Sequence, residues 1–320
     1  SLLRGREVTH LRVSGGHLTL SEVERLRTGL PAKAPEIVIA VGGGTVMDAA
    51  KVLNAILASA LPAAGLLAED LSEVLRRPVR PLLAIPTTAG TGAEATSFAV
   101  LYDGDKKHSI EHPALMPSDV LLVPDFTASV PPYQAACSGF DAFAQATESL
   151  WARGATDDSR AYARKALRLC RCLPDAVHAP TPLVRADMQQ AAYWSGRAIN
   201  ISKTTAAHAF SYVLTSHYGV PHGHAVAMLL PAIIACNRPA MGAVFDDFPE
   251  IDSAAVATLA RSLGLAPFSD LLSRHPEAAQ VVASSADQTR LANNPVMIDP
   301  DVLWRAITAD DRCPPQRPAS

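Results

Sequence analysis

The stretch from residue 36 to residue 60 constrains the fold more than any other. Glu36-Ile37-Val38-Ile39-Ala40-Val41 is a short apolar, β-branched run that stops at Gly42-Gly43-Gly44-Thr45, and from Asp48 to Ala60 the composition is that of a helix. Apolar residues at successive rather than alternate positions predict a strand buried on both faces of a parallel sheet. Strand, glycine turn and helix together let backbone N–H groups and a helix N-terminus approach a pyrophosphate. The spacing is not G-x-G-x-x-G, and a glycine turn is also an ordinary connector. This segment alone therefore leaves phosphate binding open.

A second segment repeats the pattern. Leu82-Leu83-Ala84-Ile85-Pro86 reads as a strand and runs into Thr87-Thr88-Ala89-Gly90-Thr91-Gly92-Ala93-Glu94. Two glycine- and hydroxyl-rich loops at the ends of two parallel strands define a crevice of the kind in which such sheets bind ligands. Earlier, residues 8–13 alternate as a strand would, and residues 18–30 read as a surface helix with Ser21 as N-cap and Pro31 as its stop. Residues 120–125 close the sheet region, and Val130-Pro131-Pro132 marks a boundary. Beyond it the pattern is helical, over 133–154, 159–173, 182–200, 204–217 and 223–237, with shorter helices at 252–263 and 301–310. The expected organisation is an α/β nucleotide-binding domain with a parallel sheet at 1–131, an all-α domain at 132–313, and a disordered proline-containing tail at 314–320.

Four of the ten histidines fall between residues 200 and 228. His208 lies in a helical run, and His222 follows in a Gly-Val-Pro-His-Gly-His turn that opens the next helix. Asp141 and Gln145, four apart, share one face of an earlier helix. A carboxylate, an amide oxygen and two imidazoles would complete a site suited to Fe(II), Zn(II), Co(II) or Mn(II). The competing reading is a set of ordinary polar residues at a helical corner.

These motifs resemble the iron-dependent (group III) alcohol dehydrogenases, which belong to a superfamily shared with dehydroquinate synthase. The resemblance runs over residues 38–294. It implies a dehydroquinate-synthase-like fold, and it implies Asp141, His208 and His222 as metal ligands, with Gln145 standing where the family usually has a histidine. Tyr212 stands where many members carry another active-site histidine; it is either a proton donor to the substrate oxygen or a packing aromatic. The two loops match the family's nucleotide-binding loops, which implies Gly42, Gly43, Gly44, Thr45, Asp48, Thr87, Thr88 and Thr91 beside a dinucleotide. Lys107 falls where the family places a cofactor-contacting lysine, although Lys106 and Lys107 also read as a solvated hairpin. In the family a strand and a helix precede the equivalent of residue 8, so such a segment is expected ahead of this sequence.

Within the family, the run KTTAAHAFSY…TSHYGVPHGHAVA is most similar to phosphonoacetaldehyde reductases. The implied reaction is reduction of a short aldehyde, phosphonoacetaldehyde to 2-hydroxyethylphosphonate, with NAD(P)H and a divalent metal, Fe(II) first and Zn(II) or Mn(II) next. A phosphonate needs a cationic pocket; Lys203 and Arg197 are the candidates, each of which also reads as a solvated surface residue. The alternatives are a reductase for another small aldehyde and a catalytically silent nucleotide-binding protein. Dehydroquinate synthase chemistry calls for a more basic phosphate site than this sequence offers.

Composition narrows the class. A net charge of -3 without a basic run gives no case for nucleic acid. No apolar stretch is long enough to span a bilayer, and there is no signal-peptide pattern. A cytoplasmic enzyme, as a homodimer, is the expectation. The five cysteines lack CxxC spacing and read as reduced packing residues.

Overall fold

The structure, a computed structural model, describes residues 5–75, 79–104 and 106–308. The chain forms two compact units: Ser1–Thr88 with Gly92–Phe126, and Ala89–Thr91 with Thr127–Ser320. The expected disordered tail and Cys313 lie outside the described residues.

The first unit begins with a segment through residues 8–13 that is not a strand. Its alternation is expressed as burial, since Leu11 and Val13 pack on the core, but among the described residues it has no ladder partner. Helix α1 (Leu20–Thr28) follows, with Thr19 rather than Ser21 as N-cap: the Thr19 hydroxyl accepts from the Glu22 N–H. Strand β1 (Val38–Gly42), helix α2 (Gly44–Ser59), the short helices α3 (Ala63–Ala68) and α4 (Leu71–Val74), and strand β2 (Leu82–Pro86) come next. β1 and β2 pair in parallel, and β2 pairs with β5 (Asp119–Val120), giving the order β1-β2-β5. The parallel sheet is as expected, but β1 is not buried on both faces. Among the described residues it is an edge strand, turning Ala40 inward and leaving Ile39 and Val41 41% and 50% exposed. Residues 98–111 form an antiparallel hairpin of β3 (Phe98–Asp103) and β4 (Lys106–Glu111), turning at Gly104.

The core of this unit contains a charge. Lys51, on α2, is fully buried; its Nζ donates to the Thr96 hydroxyl at 2.9 Å and to the Phe98 carbonyl at 2.8 Å. Burial pulls the Lys51 ammonium down to about 8 against the attraction of Asp48 and Glu94. The same loss of water pushes Asp48 up to about 6 and Glu94 up to about 7, against the pull of Lys51 on each.

In the second unit, α5 (Pro132–Trp151) carries Asp141 and Gln145 and is buried over nearly its whole length. Around it lie α6 (Asp157–Cys170), α7 (Leu173–His178), α8 (Pro182–Ser202), α9 (Ala206–Tyr218) and α10 (His222–Asn237). α10 is apolar all round, with Leu229, Leu230, Ile233 and Ile234 at 0% exposure, and so runs through the middle of the core. Shorter helices α11 (Ser253–Ser262), α12 (Phe268–Arg274), α13 (Ala278–Ser284), α14 (Gln288–Ala292) and α15 (Pro300–Thr308) complete the unit. Among the described residues no helix is long and apolar enough to cross a membrane.

Removing the Lys51 ammonium leaves two desolvated carboxylates without their counter-charge, a loss of about 3–5 kcal/mol for a buried group of this kind. Lys51→Met therefore lowers the urea midpoint of the first unit, and adding Glu94→Gln restores part of it. Additive losses in the double variant would show that the two side chains do not interact.

Candidate metal centre

Three helices of the second unit deliver the site. Asp141 lies mid-way along α5, His208 in the first turn of α9, and His222 at the first position of α10. Each of the three offers one ligand atom, and these atoms all lie within 4.8 Å of one another. His208 Nε2 is 3.1 Å and His222 Nε2 3.7 Å from the same Asp141 oxygen, Oδ1. Two donors each about 2 Å from a shared ion stand at most about 4 Å apart, so both separations suit one cation.

A close helix approach sets this spacing. A methyl group at Gly223 would lie 1.9 Å from the Cys137 carbonyl oxygen, so only glycine lets the start of α10 reach α5 beside Asp141. His222, one residue earlier, is thereby placed against the α5 carboxylate.

Behind the ligands lies a residue the sequence reading gave no role. Glu148, two helical turns after Asp141, is wholly buried. Its Oε1 accepts from the Thr205 hydroxyl at 2.7 Å and the Ala207 N–H at 2.8 Å; its Oε2 accepts from the Thr205 N–H at 3.2 Å and pairs with His208 Nδ1 at 2.5 Å. The carboxylate thus satisfies orphan N–H groups at the start of α9 and fixes the His208 ring, leaving Nε2 toward Asp141. Burial alone would raise the Glu148 pKa, but the His208 charge and the hydrogen bonds from His208 and Thr205 hold it low. Burial likewise opposes a charge on His208, yet Glu148 and Asp141 raise its imidazole to about 9. A pocket that favours a proton so strongly has the negative field that a divalent cation needs. The donor set and the field both fit such an ion.

Gln145 is beside the triad with its oxygen engaged elsewhere. Its Nε2 donates to Asp141 Oδ2 at 3.1 Å and to the Thr91 carbonyl at 3.3 Å, while Oε1 accepts from the Ser195 hydroxyl at 3.0 Å. In this arrangement it orients the ligand carboxylate. Tyr212, one turn after His208, has its ring stacked near that of His222, with centroids 6.1 Å apart. The guanidinium of Arg197 bonds to the hydroxyls of Tyr193 and Tyr162, and Lys203 Nζ donates to the Asn200 carbonyl at the end of α8. His224 is structural: Tyr133 and the Ala266 carbonyl occupy its two ring nitrogens.

In the first unit the two expected loops meet. The Thr87 N–H donates to the Gly42 carbonyl at 2.9 Å, and a methyl group at Gly43 would come within 3.3 Å of the Thr88 hydroxyl. Asp48 accepts from the Val100 N–H at 3.1 Å and feels the charge of Lys107, which the β3–β4 hairpin brings to this side. Gly42, Gly43, Gly44, Thr45, Asp48, Thr87, Thr88 and Lys107 thus belong to this unit, whereas Thr91 belongs to the helical one.

The class follows from comparison with known proteins. Residues 1–124 match the family model described as iron-containing alcohol dehydrogenase, and residues 135–299 match its C-terminal counterpart. The chain belongs to the iron-containing alcohol dehydrogenase family, and it is an oxidoreductase. Among its relatives is the phosphonoacetaldehyde reductase of Streptomyces viridochromogenes, 32% identical over 92% of this chain and 81% of the relative. Another is the 1-propanol dehydrogenase PduQ of Salmonella typhimurium, 34% identical over 65% of this chain and 53% of the relative. In structure the chain is similar to sulfoacetaldehyde reductase from Bifidobacterium kashiwanohense, solved with NAD+, with a TM-score of 0.81, 28% identity, and 91% and 81% of the two chains covered.

Two substitutions test the centre. Glu148→Gln lowers metal affinity by about 10–100-fold in chelator competition, the usual cost of losing such a support. A lowered thermal midpoint with unchanged affinity would restrict Glu148 to capping α9. Gln145→His raises Fe(II) or Zn(II) affinity by about tenfold or more, as an imidazole replaces an amide; unchanged affinity would put position 145 out of reach of the ion.

Proposed function

We propose that this enzyme reduces a short aldehyde carrying a tetrahedral anionic head, phosphonoacetaldehyde to 2-hydroxyethylphosphonate, with NAD(P)H and a divalent metal, iron first. The observation that carries the reading is the convergence of Asp141, His208 and His222, braced by Glu148 and Gln145, in the unit that follows a pair of dinucleotide-type loops. The phosphonoacetaldehyde reductase relative supports this substrate, and the sulfoacetaldehyde reductase supports a second, sulfoacetaldehyde, with the same two-carbon spacing and a tetrahedral oxyanion.

The balanced reaction takes an aldehyde, NAD(P)H and a proton to a primary alcohol and NAD(P)+. A divalent ion held by Asp141, His208 and His222 would supply Lewis-acid polarisation of the carbonyl, and a bound nicotinamide would supply the hydride. The chain's own part is to bind and orient. Asp141 and His208, both about 4% exposed, are rigid donors, and Glu148 keeps His208 Nε2 directed at the ion site. Tyr212 is the candidate to hold a proton at its hydroxyl for the alkoxide oxygen, since it lies one turn from His208 and against His222. Gly42 to Thr45, Asp48, Thr87, Thr88, Thr91 and Lys107 are the candidate dinucleotide contacts.

The test is NADH and NADPH oxidation with phosphonoacetaldehyde, sulfoacetaldehyde and butanal, on protein loaded in turn with Fe(II), Zn(II) and Mn(II). Metal-dependent turnover that prefers the anionic aldehydes is expected, and Asp141→Asn lowers kcat by about a thousandfold, equivalent to several kcal/mol of Lewis-acid stabilisation. Preference for butanal would overturn the substrate class. Binding of dinucleotide without turnover of any of the three aldehydes under any metal would overturn the proposed reaction.

A further inference from the structure

We infer that Arg290 is the residue that recognises the anionic head of the substrate. The inference rests on the proposed reading that the substrate is a short phosphonate or sulfonate aldehyde, and it assigns the cation that this reading requires.

Arg290 lies on α14, distant in sequence from every motif of the site. Its side chain is only 19% exposed. The guanidinium lies over the Tyr212 ring, 5.6 Å from the centroid, and that ring lies 6.1 Å from the ring of the metal-triad histidine His222. The cation is therefore no farther from the His222 ring than those two steps laid end to end. For the substrate side, covalent bond lengths put the carbonyl oxygen and the phosphonate oxygens of a two-carbon aldehyde on the order of 5 Å apart. A metal–oxygen bond of about 2 Å and a charge-assisted hydrogen bond of about 2.8 Å extend that reach at either end. The two spans are comparable.

The guanidinium of Arg290 has donors to spare for a ligand. Among the described residues its guanidinium makes one hydrogen bond, from Nη1 to the neutral Thr204 hydroxyl at 2.6 Å. Its nearest carboxylate, Asp287, stands 3.9 Å from Nε and is already engaged as the α14 N-cap, with Oδ1 accepting from the Arg290 N–H. A guanidinium offers five N–H donors. Four-fifths of this side chain is withdrawn from water, while the guanidinium nitrogens that bond no protein group are not buried and stay open to an incoming oxyanion.

The position is also built. Lys203 takes φ 59 and ψ 175, a conformation that costs a non-glycine residue on the order of 1–3 kcal/mol. Asn293, just after α14, clamps this turn by donating Nδ2 to the Ser202 carbonyl at 2.8 Å and the Thr204 carbonyl at 3.1 Å. The strained turn delivers Thr204 to Arg290 and Thr205 to Glu148, so one device positions both the cation and the support of the metal ligand. Arg197, by contrast, spends its guanidinium on Tyr193 and Tyr162.

The experiment compares phosphonoacetaldehyde, sulfoacetaldehyde and the neutral shape analogue 3,3-dimethylbutanal, using metal-loaded wild type, Arg290→Met and Arg290→Lys. Arg290→Met is expected to lower the ratio of kcat/KM for the anionic aldehydes over the neutral one by about 10–100-fold, chiefly through KM, and Arg290→Lys to keep part of it. Calorimetric titration of metal-free protein with 2-hydroxyethylphosphonate provides a readout independent of turnover, and wild type is expected to bind at least tenfold tighter than either variant. Equal losses on all three aldehydes, or equal binding of the phosphonate, would overturn the role of Arg290 while leaving the proposed reaction intact. A wild-type enzyme that prefers 3,3-dimethylbutanal would overturn both together. Should Arg290→Met fail to fold, the ratio and the titration in Arg290→Lys decide: values equal to wild type for both would overturn the assignment.

Discussion

The buried carboxylate of Glu148 is the interaction on which the second unit turns. An isolated carboxylate in an apolar interior is prohibitively unfavourable, and this one is tolerated because four donors converge on it. All four come from the start of α9, and two of them are main-chain N–H groups that have no partner within the helix. A single group on α5 therefore satisfies the mouth of another helix and fixes the tautomer of its histidine. Asp141, on the same face of α5, then meets that histidine from the other ring nitrogen. Folding and ligand placement are here one set of hydrogen bonds, so a lesion at Glu148 is felt by both.

The two units handle buried charge in opposite ways. In the first, Lys51 sits among Asp48 and Glu94, so a cation is surrounded by acids and the group is closer to self-compensating. In the second, Asp141 and Glu148 face two imidazoles, which leaves room for added positive charge. Lys51 in the first pattern ties α2 to the start of the β3–β4 hairpin; the second pattern is that of a cation site.

Much of this was legible in the sequence, for physical reasons. The helices carrying the ligands have strong 3.6-residue periodicity, and α5, α8, α9 and α10 begin or end within a few residues of where that pattern stops. Helical spacing put Asp141 beside Gln145, and a helix followed by a turn could aim His208 and His222 at one point, but only the family resemblance joined Asp141 to the two histidines as ligands. The parallel sheet was readable from Leu82–Pro86 and its neighbour, but the exposed face of β1 was not, since an apolar run looks alike at an edge and at the centre. Residues 8–13 carried strand alternation without a partner to realise it. Glu148, Ser195 and Arg290 were invisible as a group: their roles arise only when α9, α8 and α14 come together with α5, and α14 is too short to leave a periodic trace. The direction of the Gln145 amide, too, is decided by Thr91 and Ser195, far off in the chain.

The glycine at 223 carries a different lesson. There α10 rests on the main chain of α5, so the gap between Asp141 and His222 is gauged by peptide groups and not by side chains that drift or can be exchanged. Such a gauge has no adjustable part. Of the three donors, His222 is the most open, its side chain 33% exposed against 4% for Asp141 and His208. His222 thus has the most room, so any adjustment to ions of different radius would fall on its imidazole before the two buried ligands.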